Sequence, residues 1–252
     1  MIPIANVLQP LIDIANSVLL FFHDNAGLSW GMSIIALTVV TRALLIPLTY
    51  KSLKGMRALQ ALQPQIKEIQ AKYKNDRQRM QQEMMRFYQE NKVNPFASCI
   101  PLIAQLPVFI TLFYLLQNEL PDDIGCKAGE CGDAASFLFI SDLTAKAAGG
   151  ELIALLILYI GTQLISGLVM AVTADKSQRM LMLVLPFIFV PFVITFPAGL
   201  VLYWITTNVW TIGQQAVIQR LIPPPVHATP EGAAAVVKPP PPSPRKKKKR
   251  RR

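Results

Sequence analysis

Five stretches of this 252-residue chain are each apolar over a length that could cross a lipid bilayer, and a soluble core of this size has no room for all of them. A hydrocarbon core is about 30 Å thick and an α-helix rises about 1.5 Å per residue, so a span needs roughly 20 apolar residues. The stretches cover 29–50, 97–117, 152–173, 180–196 and 197–219. The last two meet at Pro197 in LPFIFVPFVITFPAG. Read as one straight helix they would reach about 60 Å, twice a bilayer, so the chain is expected to turn back at FPAG. The expected fold class is an all-α integral membrane protein with five transmembrane helices.

The cations orient the spans. Of 25 Lys and Arg, ten fall in 51–96, two in 174–179 and ten from Arg220 onward, all on one side of the membrane. The other side receives only Lys127 and Lys146. An excess of Lys and Arg marks the cytoplasmic side, so the N-terminus is expected outside and the C-terminus in the cytoplasm. The acidic loop 118–151 is then extracytoplasmic. Residues 1–28 open with Ile4, Val7, Leu8, Leu11, Ile12, Ala15, Val18, Leu19 and Phe22 at helical spacing, opposite Asn6, Gln9, Asp13 and Asn16. Without a basic start or a small-residue cleavage site, this pattern predicts an interfacial amphipathic helix and a connector rather than a signal peptide.

The polar segment 51–96 repeats Leu59, Leu62, Ile66, Ile69 and Tyr73, then Met80, Met84 and Phe87, at three- and four-residue spacing. That is a cytoplasmic helical hairpin, with Pro64 kinking or restarting its first helix. The hairpin is either a solvated surface or an adaptable landing site for apolar partners, for which its methionines are suited. The segment 220–252 is expected to be a disordered basic tail ending in Arg245, Lys246, Lys247, Lys248, Lys249, Arg250, Arg251 and Arg252. Such a run seeks polyanions, either anionic lipid or RNA phosphate. Cys126 and Cys131 share the outer loop as CKAGEC, a spacing that permits a disulfide without demanding one, and Cys99 reads as a small packing residue. No metal-binding pair, nucleophile elbow or phosphate loop occurs, so neither an enzyme nor a cofactor is expected.

Polar residues recur at helical spacing inside the spans. Gly31, Thr38, Arg42 and Thr49 form one stripe, Ser98 and Gln105 a second, Gln163 and Ser166 a third, and Trp204, Asn208, Thr211 and Gln215 a fourth. Arg42 is the anomaly. A guanidinium within a span costs a few kcal/mol on insertion scales, and no Asp or Glu lies in any of the five stretches to pair with it. It sits eight residues from Tyr50, about 12 Å along a straight helix. An unpaired cation at that depth calls for water, so the stripes are expected to line a hydrated cavity reached from the cytoplasm.

The run SIIALTVVTRALLIPLT, the hairpin MRALQALQPQIKEIQAKYKNDRQRMQQEMMRFYQENKVNPFASCIPLIAQLPVF and the later FPAGLVLYWITTNVWTIGQQ resemble the YidC/Oxa/Alb membrane protein insertases over about residues 28–220. The resemblance implies a protein that helps nascent membrane proteins into the bilayer, alone or beside the Sec translocon, without a cofactor. It places Arg42 in a groove open to cytoplasm and lipid but closed to the outside, with Thr38 and Trp204 as substrate contacts and Gln105 as a groove residue. The polar stripe adds Asn208. It assigns the tail a ribosome-facing role and the hairpin a part in receiving substrate, and the expected working unit is a monomer. No large extracytoplasmic domain precedes the first span, no lipoprotein cysteine lies near the N-terminus and no transit peptide is visible, so a bacterial plasma membrane is the expected location. The Cys126 to Cys131 loop is not part of the family pattern.

Overall fold

The computed structural model describes residues 3–94, 100–170 and 176–221 of the chain. Three expected features fall outside them: the basic run from Arg245 to Arg252, Cys99 with the start of the second span, and the end of the third. Among the described residues the β-pairing consists of two isolated bridges, Phe137 with Ile140 and Lys146 with Pro197. The rest is helices, turns and one structured loop.

Helix α1 (Pro3–Leu20) runs on through a π-helical turn, Phe21–Asn25. Its buried side, with Ile12 and Leu19, packs along α2 (Trp30–Leu44) and α6 (Ile100–Tyr114). Ser29 caps α2 by accepting from the Met32 amide. The first expected span, 29–50, is two helices: α2 ends at Leu44 and α3 (Ile46–Ala61) leaves it at 56°. Pro47 is the cause. It offers no N–H to the Ala43 carbonyl one turn back, and its ring crowds that carbonyl. The Leu45 amide keeps its helical bond to the Thr41 carbonyl and also reaches the Ala43 carbonyl. The inner end of the expected span and the start of the expected hairpin are thereby one helix, α3.

Pro64 stands in the first turn of α4 (Gln63–Lys72), where its missing N–H costs nothing. Asp76 accepts from the Arg79 amide to start α5 (Arg77–Glu90), which packs back on α4. Beyond α6 a π-helical turn, Leu115–Glu119, leads into α7 (Leu120–Ile124). The chain finishes with α8 (Gly149–Met170), α9 (Lys176–Val193) and α10 (Ala198–Leu221). Helix α10 lies between α2 and α8, and α9 packs on α8. Among the described residues two helical stretches, Ile103–Ile124 and Gly149–Val169, are long and apolar enough to cross a membrane, and the bent pair α2–α3 makes a third if taken as one span.

The main apolar cluster lies at one end of the bundle. It joins Trp30, Ile34 and Leu37 of α2, Leu112 to Leu120 around the π turn, Leu155 and Tyr159 of α8, and Ala198 to Tyr203 of α10. All of these lie toward the loop 125–148, which closes over them. The Ala198 amide donates to Ala145 O and the Gly199 amide to Leu143 O, each at 2.8 Å. Phe137 lies against Gly31, where a Cβ would come within 2.1 Å of its ring. The pairing left open by sequence is made: Cys126 and Cys131 are disulfide-bonded with Cα atoms 5.3 Å apart.

Buried Asp142 organises this loop. Its carboxylate accepts from the amides of Cys131 (2.8 Å), Gly132 (3.0 Å) and Thr144 (2.8 Å) and from the Thr144 hydroxyl (2.7 Å). Burial alone would raise its pKa, but these four donors outweigh burial and hold the carboxyl below its ordinary value.

Gly199 is the tightest backbone joint between loop and bundle. A Cβ there would sit 2.9 Å from the Leu143 carbonyl oxygen and 3.3 Å from both Leu116 methyls. Gly199→Ala is expected to destabilise the protein by about 1–3 kcal/mol, because a backbone atom has to move. A lowered thermal unfolding midpoint of the purified protein in detergent checks it, with Gly213→Ala, where a Cβ meets open space, as the control.

Candidate functional site

Arg42 occupies the last turn of α2 because Pro47 ends that helix just beyond it. The final carbonyls of a helix carry partial negative charge, so a cation is favoured there, and the bend supplies this compensation where no carboxylate among the described residues does. The compensation is incomplete, since Nε is buried without a hydrogen-bond partner among the described residues. The guanidinium lies within electrostatic reach of the Tyr203 phenol of α10. Gln105 of α6 donates from Nε2 to the same phenol oxygen. Helices α2, α6 and α10 thus meet at Arg42, Gln105 and Tyr203, directly beneath the apolar core. Tyr203 itself is 1% exposed, its ring in the core and its hydroxyl at the polar edge.

Thr38, one turn above Arg42, is buried, and its hydroxyl donates to the Ile34 carbonyl of its own helix at 2.7 Å. Trp204 and Asn208 face a different way. The Trp204 ring stacks on Phe109 of α6 at 5.4 Å and 14°, and meets Phe196 and Tyr159 at 5.8 and 5.9 Å. One turn on, Asn208 Nδ2 donates to Thr162 Oγ1 of α8 at 3.3 Å. Among the five expected groove residues, then, Gln105 joins Arg42 through Tyr203, Trp204 and Asn208 line the seam with α8, and Thr38 lies in the core between α2 and its neighbours.

A third contact ties the far end of α10 to α3. Gln214 Nε2 donates to Thr49 Oγ1 at 2.7 Å, and Trp210 Nε1 donates to Gln214 Oε1 at 3.0 Å. Thr49, expected on one stripe with Arg42, lies beyond the bend and serves this other contact. Further polar groups are buried without a partner among the described residues: Ser33 Oγ of α2 and Thr111 Oγ1 of α6.

Sequence reasoning missed Tyr203, Thr162 and Gln214. Tyr203 stands beside Trp204 in the LYW triplet, and a phenol among apolar residues needs a hydrogen-bond partner. The expected face of α8 was Gln163 with Ser166. The residues that meet α10 are Tyr159 and Thr162, three apart and so on one face of α8. The described residues contain no group of three or more His, Cys, Asp or Glu able to hold a metal ion. What the arrangement offers chemically is one cation and a set of amide and hydroxyl groups on helices that otherwise face apolar surroundings.

Gln105 and Tyr203 are expected to be coupled. In a double-mutant cycle of Gln105→Leu and Tyr203→Phe, the two losses should fall short of additivity by about 0.6–1.7 kcal/mol, the range for interhelical hydrogen bonds in membrane proteins. Unfolding by denaturing detergent measures it.

A family profile described as 60Kd inner membrane protein matches residues 21–225. The membrane protein insertase YidC of Streptomyces avermitilis is 35% identical over 232 residues, covering 81% of this chain and 54% of that protein. The protein of the same name from Actinobacillus succinogenes is 40% identical over 194 residues, covering 76% of this chain and 34% of its own length. The chain therefore spans about half, or less, of these relatives. A solved structure described as the active YidC insertase with the first transmembrane domain resolved superposes with a TM-score of 0.62 at 27% identity, covering 85% of this chain and 46% of that one.

Proposed function

This chain belongs to the 60Kd inner membrane protein family, and from that membership we propose that it is a membrane protein insertase working through a polar groove that is open to the cytoplasm and to lipid. It has five spans, 29–50, 97–117, 152–173, 180–196 and 197–219, in a bacterial plasma membrane with the N-terminus outside and the C-terminus in the cytoplasm. The observation that carries the reading is the division of the bundle. One end is filled by apolar side chains under a docked loop, and just below them Arg42, Gln105 and Tyr203 come together from three helices. This division supports a groove that is closed at the loop end and polar toward the other.

The chemistry follows from solvation. A hydrophilic segment loses its water when it enters a bilayer, and each unpaired polar group costs several kcal/mol there. Arg42, Gln105 and the Tyr203 hydroxyl replace part of that hydration, which shortens the apolar distance left to cross. An acidic segment gains most, because the cation attracts it. The client's apolar segment then moves out along the helices into lipid, driven by about 25 cal/mol per Å² of apolar surface withdrawn from water. No bond is broken, so the protein acts as neither an enzyme nor a cofactor carrier.

Trp204 contacts the client's apolar segment, Thr38, buried in this structure, meets it only when the client parts α2 from its neighbours, and Asn208 borders the groove on the α8 side. The hairpin receives the nascent chain, and the tail from Arg245 to Arg252 holds the ribosome or anionic lipid. The protein works as a monomer, alone or beside the Sec translocon. Translating a single-span client in the presence of liposomes that contain only this protein tests the proposal. Protease protection of the client's translocated segment, above that in empty liposomes, is the expected result. Equal protection in both would overturn it.

A further inference from the structure

Within the outer loop, residues 137–140 read FLFI and form a two-residue turn. The Phe137 amide donates to Ile140 O at 2.9 Å and the Ile140 amide to Phe137 O at 2.8 Å. A turn of this kind ordinarily uses Gly or Asn where φ is positive. Here Leu138 takes φ 53° and is 85% exposed, with Phe139 beside it 47% exposed. A bulky residue stays in the left-handed region only where its surroundings hold it. The holders are plain: Phe137 is packed on Gly31, Ile140 is 2% exposed in the core, and two residues on, Asp142 gathers its four hydrogen bonds. The turn is therefore rigid, and what it holds outward is the pair of side chains water would least favour.

Two attachments fix its height along the bundle. Gly31 is in the first turn of α2. Ser141, next after the turn, donates from its amide (3.1 Å) and hydroxyl (2.7 Å) to Glu151 in the first turn of α8. Helix α8 is long and apolar enough to cross a membrane, and its outward residues just below are Ile153 (61% exposed) and Ile157 (66%). The tip thus stands level with the start of the apolar surface and continues it. From Ser136 to Ser141 the chain carries no charge, so nothing in the tip resists leaving water.

We propose that Leu138 and Phe139 are a wedge that inserts into the boundary between headgroups and acyl chains of the phospholipid leaflet on the loop side, anchoring the loop that seals the bundle. The free backbone groups of the turn keep it at that boundary, where they still meet water and headgroups, rather than in the hydrocarbon. The proposal needs the chain to be in a membrane but not the insertase reading, and its test involves no client.

The test uses the full chain with Cys99→Ser and the Cys126–Cys131 disulfide left oxidised, in vesicles of phosphatidylethanolamine and phosphatidylglycerol. A nitroxide is placed at Leu138→Cys or, independently, at Phe139→Cys. Collision with oxygen is compared with collision with a water-soluble nickel complex. Asp133→Cys, exposed in the same loop, is the aqueous reference, and Ile157→Cys is the lipid reference. The expected oxygen-to-nickel ratio at 138 and 139 is several-fold above that at 133 and approaches that at 157. A ratio equal to that at 133 would overturn the proposal, as would suppression of both collisions together, which would mean contact with protein instead of lipid.

Discussion

Arg42→Glu is expected to stop insertion of clients whose translocated segment is acidic while leaving the protein folded. Two unit charges about 6 Å apart at an effective dielectric constant of about 20 interact by roughly 3 kcal/mol. Losing that attraction in Arg42→Ala should slow insertion of an acidic-tailed client by about 100-fold if passage through the groove limits the rate. Reversing the sign should cost as much again. Arg42→Lys should retain most of the rate, because the charge remains, and a client with a neutral translocated segment should change little in any variant. Protease protection over time, with each variant reconstituted at equal density, measures all four. Insertion of the acidic client at the unsubstituted rate by folded Arg42→Ala would defeat the electrostatic account and leave apolar sliding as the remaining driving force.

Asp142→Ala should release the outer loop. The substitution leaves three amides and one hydroxyl without their acceptor. A buried donor left unsatisfied costs about 1–3 kcal/mol, so the loop should lose at least about 3 kcal/mol of local stability. Hydrogen exchange at the amides of Cys131, Gly132 and Thr144 should rise by more than 100-fold, and unchanged protection there would rule out the role given to the carboxylate. The same group sets a pH dependence. Its pKa in the folded protein lies below the unfolded value, so the stability it contributes is full above the ordinary carboxylate pKa of about 3.9 and is lost as pH falls through the lower folded value. The loop should stay protected at pH 5 and open only in stronger acid. With Asp142→Asn that acid-induced opening should disappear, since nothing is left there to protonate.

Much of the architecture could be read from residues alone. The apolar stretches, the turn at FPAG, the helical hairpin pattern and the oddness of Arg42 all depend on properties that add up along the chain or recur at a fixed angle. The reading weakened wherever it assumed straight helices. A wheel at 100° per residue put Thr49 on one stripe with Arg42, but Pro47 bends the chain between them and sends Thr49 to Gln214. It likewise preferred Trp204 to Tyr203, which points about 100° away and is the residue that Gln105 meets. No count of polar residues distinguishes those two positions, because the choice depends on which helix lies opposite. The Asp142 cluster was illegible for a similar reason: its donors lie eleven and ten residues before it and two after, and no periodicity links them.

The sequence by itself determined that this chain is helical, is too apolar in too many places for a water-soluble fold, and carries Arg42 inside one of five apolar stretches, none of which holds an acid to neutralise it. These follow from transfer free energies, which belong to each segment wherever it is placed. Only the tertiary structure decided that the main apolar cluster gathers at one end beneath a docked loop, and that Arg42 comes within reach of the Tyr203 phenol that Gln105 also meets. Those outcomes depend on how helices distant in sequence pack side by side, and on a single proline that turns the first of them away at the level of the arginine.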